Sequence, residues 1–191
     1  MNKNDLLKSI AETGYNVGFG AKKHFATYDL VEKVPGWIGF ASIAFGVYGL
    51  VIERLSNKML GATMVMLGIC SLYIYFYDAK KMEYERAGRD LTQIYNRLRD
   101  LYRTVQGAQS SDLAPFEQSL GSLENEYYSK CISKQILFSD WYAHYKFFWQ
   151  HQIEWIEEQK KFRLFRDKIP LSLMVAASAA IIIVAVLAVG E

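Results

Sequence analysis

A chain of 191 residues has the length of one domain, and its charge, 22 Lys and Arg against 20 Asp and Glu, is too balanced to suggest a nucleic-acid partner. Apolar residues make up 51% of it, yet the mean hydropathy is +0.00, so the apolar content is concentrated in a few segments and a large polar part offsets them. Cys70 and Cys131 have no neighbouring cysteine and no metal-type spacing, which fits a reduced compartment or burial in lipid.

Residues 4–30 predict a helix, with Leu6, Leu7, Ile10, Thr13, Gly14, Val17 and Ala21 on one stripe at three- and four-residue spacing. Gly14, Gly18 and Gly20 each cost about 1 kcal/mol against Ala inside a helix, so their use there is to permit close approach. A phosphate cradle at Gly18-Phe19-Gly20 lacks both the preceding strand and the Lys-Ser or Lys-Thr pair of a P-loop. Residues 1–33 contain no apolar run of signal-peptide length, and the Pro35-Gly36 pair is expected to end this first element.

Residues 36–77 form two apolar stretches around the polar turn 53–58, the pattern of a membrane hairpin. The second arm, 59–77, has no charge; a helix of that length covers roughly the ~30 Å hydrocarbon core at 1.5 Å per residue. The first arm, 37–52, is shorter and reaches spanning length only with Val34, Pro35 and Gly36 in the headgroup zone. Trp37 and Phe40 open the first arm and Tyr73, Tyr75, Phe76 and Tyr77 close the second, placing both distal ends at one membrane face.

Residues 78–106 carry a clean helical stripe, Leu91, Ile94, Tyr95, Leu98, Leu101, Tyr102 and Val105, and no Gly or Pro separates them from the second arm, so one continuous helix is expected. The stretch 107–112 breaks it, and Asp112 is the N-cap of a helix striped by Phe116, Leu120, Leu123, Tyr127 and Cys131. A further helix is expected over 139–167, dense in aromatics from Trp141 to Phe165. These suit a helix packed on several sides, or lying on headgroups, better than a nucleobase platform. Lys160, Lys161, Arg163, Arg166 and Lys168 precede a third apolar run, 169–190, with Pro170 in its first turn.

The fold class expected is therefore an all-α integral membrane protein. It comprises an N-terminal helix (1–35), a transmembrane hairpin (36–77), a cytoplasmic helical region (78–168) and a C-terminal transmembrane helix (169–191). Basic residues gather before the first span, after the second and before the third, which puts residues 1–35 and 78–168 in the cytoplasm and the turn and Glu191 outside.

Chemistry is sparse. No ionisable residue lies inside an apolar run, which disfavours active transport. Asp140, His144 and His151 share roughly one helix face, but histidines seven apart lie about 10 Å from each other along the axis, too far to share a metal unaided. No helical-ribonuclease signature of Arg and His and no nucleophile elbow is present, so catalytic, cofactor and metal residues are expected to be none. The apolar runs instead carry small residues at one-turn intervals: Ser42, Gly46 and Gly49; Gly61 and Gly68; and Ser172, Ala176 and Ala180. Such stripes let helices pack closely in lipid, within one chain or in a homo-oligomer.

Leu6-Leu7, then Gly18-Phe19-Gly20-Ala21-Lys22-Lys23-His24-Phe25, then Tyr28-Asp29 ahead of a short-turn hairpin and a charged helix, is similar to the SLATT proteins, two-span effectors associated with SMODS nucleotidyltransferases and SLOG sensors. The resemblance covers about half the chain. It implies a membrane effector of a bacterial anti-phage or other conflict system, in the inner membrane, that forms pores and arrests or kills the cell. Its implied partners are the lipid bilayer, further copies of itself, and a nucleotide second messenger or a sensor or nucleotidyltransferase protein. The third run departs from the two-span description. The alternative is a non-conducting membrane adaptor whose helical region docks a partner protein.

Overall fold

A computed structural model of the chain describes residues 2–55, 57–109, 112–151 and 153–189, the side chains of Arg54 and residues 187–189 excepted. Among these residues the secondary structure is helical throughout. Ser56 in the expected turn, and Gly190 and Glu191 at the end of the third apolar run, lie outside the described residues.

Helix α1, Lys3–Val51, is 49 residues long, about 74 Å at the usual helical rise. It begins where Asn2 Oδ1 accepts from Asp5 N at 2.8 Å, with the Asp5 carboxylate in the first turn complementing the helix dipole. Its first half buries the predicted stripe, Leu6, Leu7, Ile10, Thr13, Gly14, Val17 and Ala21, and its second half is the exposed first arm of the hairpin. The Pro35-Gly36 pair does not end this helix as expected: Pro35 sits inside it. Proline removes one helical hydrogen bond, but the turn before it is gripped by tertiary packing. Val31 is buried with Ile74, Tyr77, Tyr84 and Ile136, and Val34 packs against them.

The reversal uses a 3₁₀ turn, Glu53–Leu55, and Asn57, whose Oδ1 accepts from Leu60 N at 2.8 Å to start α2, Lys58–Tyr75. The helix expected to run on from the second arm does continue to Gly107, but it tightens on the way. Tyr77 N donates to Ile74 O and Lys80 N to Tyr77 O, so a tightened 3₁₀ passage leads from α2 to α3, Lys81–Gly107. This passage turns Ile74, Tyr77 and Tyr84 together into one apolar cluster.

Helix α3 runs antiparallel to α1: Tyr95 lies at Gly18, Phe25 at Gly88, and Lys3 Nζ reaches the last turn of α3, donating to Gln106 O at 2.9 Å and Ala108 O at 2.8 Å. The stripe predicted for α3 is its buried face, with Leu101 half-buried. The N-cap of α4, Ala114–Lys130, is Leu113 and not Asp112 as expected, although Asp112 Oδ1 accepts from Ala114 N at 3.1 Å; α4 buries Leu120 and Leu123 and pairs with α3 through Arg97–Glu126 and Lys130–Asp90.

The single helix expected over 139–167 is instead broken. Helix α5, Ser139–Gln150, lies along α1; the four-residue α6, Glu154–Glu157, buries Trp155 and Ile156; and a π turn, Leu164–Lys168, follows. A straight helix would hold Phe148 and Phe162 about 21 Å apart. In the structure their rings lie 5.2 Å apart, because the chain doubles back to pack Phe162 on Tyr15 and Phe148. The break also swings Trp155 between α1 and α3, where its Nε1 donates to Tyr95 Oη at 2.9 Å. A Cβ at Gly14 would overlap the Trp155 ring, and one at Gly18 would stand 2.8 Å from Tyr95 and 2.9 Å from Phe147. Close approach at these two glycines is thus to aromatic rings, not to another backbone.

Helix α7, Leu171–Val189, starts on Pro170, whose carbonyl accepts from Leu173 N and Met174 N. From Leu171 to Val186 its apolar side chains are exposed, Met174 being half-buried.

Candidate functional site at the base of the hairpin

The molecule has two parts, a packed helical body and an apolar hairpin that leaves it. Both long apolar helices are of a length and composition to cross a bilayer, and the apolar stretch of the first is wholly unburied. Their side chains include exposed Ile43, Leu50, Val65 and Leu72, a surface that water would not tolerate at this extent and hydrocarbon would. The arms meet near the tip. Ser42 Oγ donates to Met64 Sδ at 3.8 Å, and a groove of about 560 Å³ between them is lined by Ser42, Gly46 and Gly49 from α1 and Gly61 and Met64 from α2. A Cβ at Gly46, Gly61 or Gly68 would meet nothing within 4 Å, and at Gly49 only Leu55 O at 3.9 Å. The structure thus brings Ser42, Gly46, Gly49 and Gly61 to one groove and leaves Gly68 outside it. Ser172 accepts from Trp141 Nε1 at 2.9 Å, and Ala176 and Ala180 are exposed along α7.

Where the hairpin enters the body, residues 131–138 are clasped between α1 and α3. His24 Nε2 accepts from Ile132 N at 3.0 Å while its Nδ1 donates to Gly20 O at 2.7 Å, which requires the neutral ring protonated on Nδ1. Burial holds its pKa below the ordinary histidine value; the Gly20 bond opposes this and the Lys23 charge adds to it. Thr27 Oγ1 donates to Gln135 Oε1, Gln135 Nε2 to Ile132 O at 2.7 Å, and Tyr84 Oη to Lys134 O at 2.6 Å.

Asp29, one turn below Lys33, accepts from Lys33 Nζ at 2.7 Å and from Lys146 Nζ of α5. Burial pushes its carboxyl up, and the two lysine hydrogen bonds outweigh that and hold it below its ordinary range. On the other side Lys81 bridges Glu32 at 2.9 Å and Asp78 at 3.0 Å, tying α1 to the start of the passage into α3; those bonds raise its pKa. The base of the hairpin is therefore fastened to α3, α5 and the 131–138 segment by polar contacts of high geometric specificity.

Sequence reasoning did not assign these roles, although it quoted the residues. His24 clasps Ile132, Phe25 covers Gly88, Tyr28 packs in the cluster at the hairpin base, and Asp29 holds two lysines. The partners, Lys146, Gln135 and Ile132, lie more than a hundred residues away, beyond the reach of any local pattern.

The histidines weighed as ligands are dispersed. His144 Nδ1 bonds Asp140 O at 2.8 Å and its ring abuts Phe19 and Phe148, whereas the His151 ring lies tilted against Tyr95 and its pKa is pushed down to about 4, mainly by burial and then by Lys22 and Arg99. Asp140 pairs with Lys23 at 2.8 Å. Among the described residues no group of three His, Cys, Asp or Glu side chains converges as a metal set.

No curated protein and no solved structure matches the chain. The family described as SMODS and SLOG-associating 2TM effector domain 6 matches residues 1–177, that is, the body, the hairpin and the opening of α7. With both long apolar helices inside that match, the chain is consistent with a membrane protein and belongs to the SMODS and SLOG-associating two-transmembrane effector family.

Proposed function

We propose that the protein is a membrane effector of a bacterial anti-phage or related conflict system: its hairpins assemble in the inner membrane and open a conducting path when the helical body is rearranged by a signal. The observation that carries this reading is the groove between the arms. A hairpin placed in hydrocarbon with a small-residue groove open to its side offers a close-packing surface to a helix of a second copy. In this reading the body lies in the cytoplasm and the hairpin turn outside, as the basic flanks favour. A nucleotide second messenger, or a sensor or nucleotidyltransferase protein, acts on the body, and the effector works without catalysis.

The test is Gly46→Leu. A Cβ there meets nothing within 4 Å in its own protomer, so the backbone accepts a side chain, and the larger Leu fills the groove that a second copy would enter. Overpacking such a contact costs about 1–3 kcal/mol per site, enough to disperse an assembly that repeats it. The expected result is normal insertion, loss of cross-linked oligomers and loss of depolarisation read by a membrane-potential dye, with Val47→Leu unaffected. A Gly46→Leu protein that stays oligomeric and depolarising removes the groove from the mechanism. A wild-type protein that is monomeric and leaves the potential intact turns the reading to the adaptor, for which the exposed Tyr145 and Trp149 on the outside of α5 offer a protein-docking face.

A further inference from the structure

Residues 136–138 combine three features that seldom occur together. Ile136 is buried, while Leu137 and Phe138 directly after it are 62% and 52% exposed. Phe138 has φ 67°, ψ −1°, the left-handed region that an aromatic residue rarely adopts, so its presentation is held against a backbone preference. The segment leading to it is immobilised by the His24, Thr27 and Tyr84 bonds. The exposed Leu-Phe pair is thus rigidly held and strained, with the Phe138 ring 4.7 Å from that of Trp141.

Its height in the fold says what covers it. Ile136 packs with Val31 of α1 and with Ile74 and Tyr77 at the end of the second arm, so the pair stands at the level where both arms leave the body. Trp141, its ring tilted against Phe138, donates to Ser172 in the first turn of α7, so the third apolar helix departs from the same level. Lys134 lies over the Tyr77 ring at 5.5 Å, and Lys33 and Arg166 present exposed charge in the segments entering α1's apolar half and α7. Apolar tips backed by aromatic rings and flanked by lysine and arginine match the chemistry of the headgroup and upper acyl layer of an anionic bilayer.

We infer that Leu137-Phe138 is a membrane-interface anchor by which the 131–138 segment touches the lipid beside the hairpin. The anchor links the bilayer to the clasp on α1 and α3. A change at the body that frees His24 or Asp29 would thus be felt at the lipid surface. The inference rests on the hairpin's being membrane-embedded, and its test separates the two.

The full chain, with Cys70→Ala and Cys131→Ala, is labelled with the environment-sensitive fluorophore NBD at Ile43→Cys, Phe138→Cys or Trp149→Cys and reconstituted in phosphatidylcholine–phosphatidylglycerol vesicles. Vesicles carrying shallow doxyl-labelled lipid should quench the probe at 138 at least twofold more than that at 149, and deep doxyl lipid should quench the probe at 43. Quenching at 43 with 138 no more quenched than 149 overturns the anchor and leaves the hairpin intact. No quenching at 43 overturns the embedded hairpin itself. A probe at 138 shielded from aqueous iodide yet untouched by doxyl lipid also overturns the anchor, since a second protein copy then covers it. Phe138→Gly checks the fold: relief of the positive φ should keep the melting temperature in detergent at or above the wild-type value, and a clear fall would make Phe138 a packing residue instead.

Discussion

Replacing His24 by Ala removes the hydrogen bond that ties α1 to the backbone of residue 132. Ile132 N loses its acceptor at 3.0 Å, and a ring that is only 3% exposed leaves a void against Tyr84. An orphaned buried N–H costs about 1–3 kcal/mol and the void adds to it, for a total of about 3 kcal/mol. Local opening of residues 132–136 should then be easier by at least the hydrogen-bond share, which speeds hydrogen–deuterium exchange there about 10- to 100-fold while α3 amides change only with global stability.

Acid should mimic the substitution. The folded pKa of His24 lies below the ordinary 6.5, so on acidification the unfolded chain takes up the proton first. The stability it contributes is complete above pH 6.5 and is lost as pH falls from there through the folded value. His151, pushed down to about 4, adds to the same acid slope in both proteins, so the difference between wild type and variant isolates His24. Melting temperatures in detergent should differ most above pH 7 and converge toward pH 5. Unchanged exchange at residue 132, or a gap that stays constant with pH, would refute the clasp.

Two further outcomes test the body. Gly14→Ala should destabilise by about 1–3 kcal/mol, because its Cβ overlaps Trp155, whereas Gly121→Ala, with nothing within 4 Å, should stabilise by up to about 1 kcal/mol; paired thermal melts check both signs. Asp29→Asn and Lys146→Met should each lower the melting temperature and prove non-additive together, with a coupling of about 1 kcal/mol in a double-mutant cycle, while Lys80→Met serves as the uncoupled control.

The hairpin, its turn and the buried faces of α1 and α3 were legible in the sequence because each rests on local regularity. A charge-free run has one stable environment, and a three-four repeat puts Leu91, Ile94, Leu98 and Val105 on one face whatever lies opposite. Local signals misled where packing overrode them. Pro35 predicts a break but is carried through by the cluster around Val31, and the uninterrupted stretch 139–167 breaks because Trp155 and Phe162 gain more from folding back on Gly14 and Tyr15 than from continuing a helix.

The SLATT likeness was readable from residues 6–29, yet what those residues do was not. Gly18 is small because of Tyr95 and Phe147, and His24 and Asp29 matter through Ile132 and Lys146, more than a hundred positions along the chain. A sequence by itself determines which segments seek apolar surroundings, because that preference belongs to each residue alone. Which polar side chains fasten the hairpin to its body is a property of pairs, and only the tertiary structure decides the pairs.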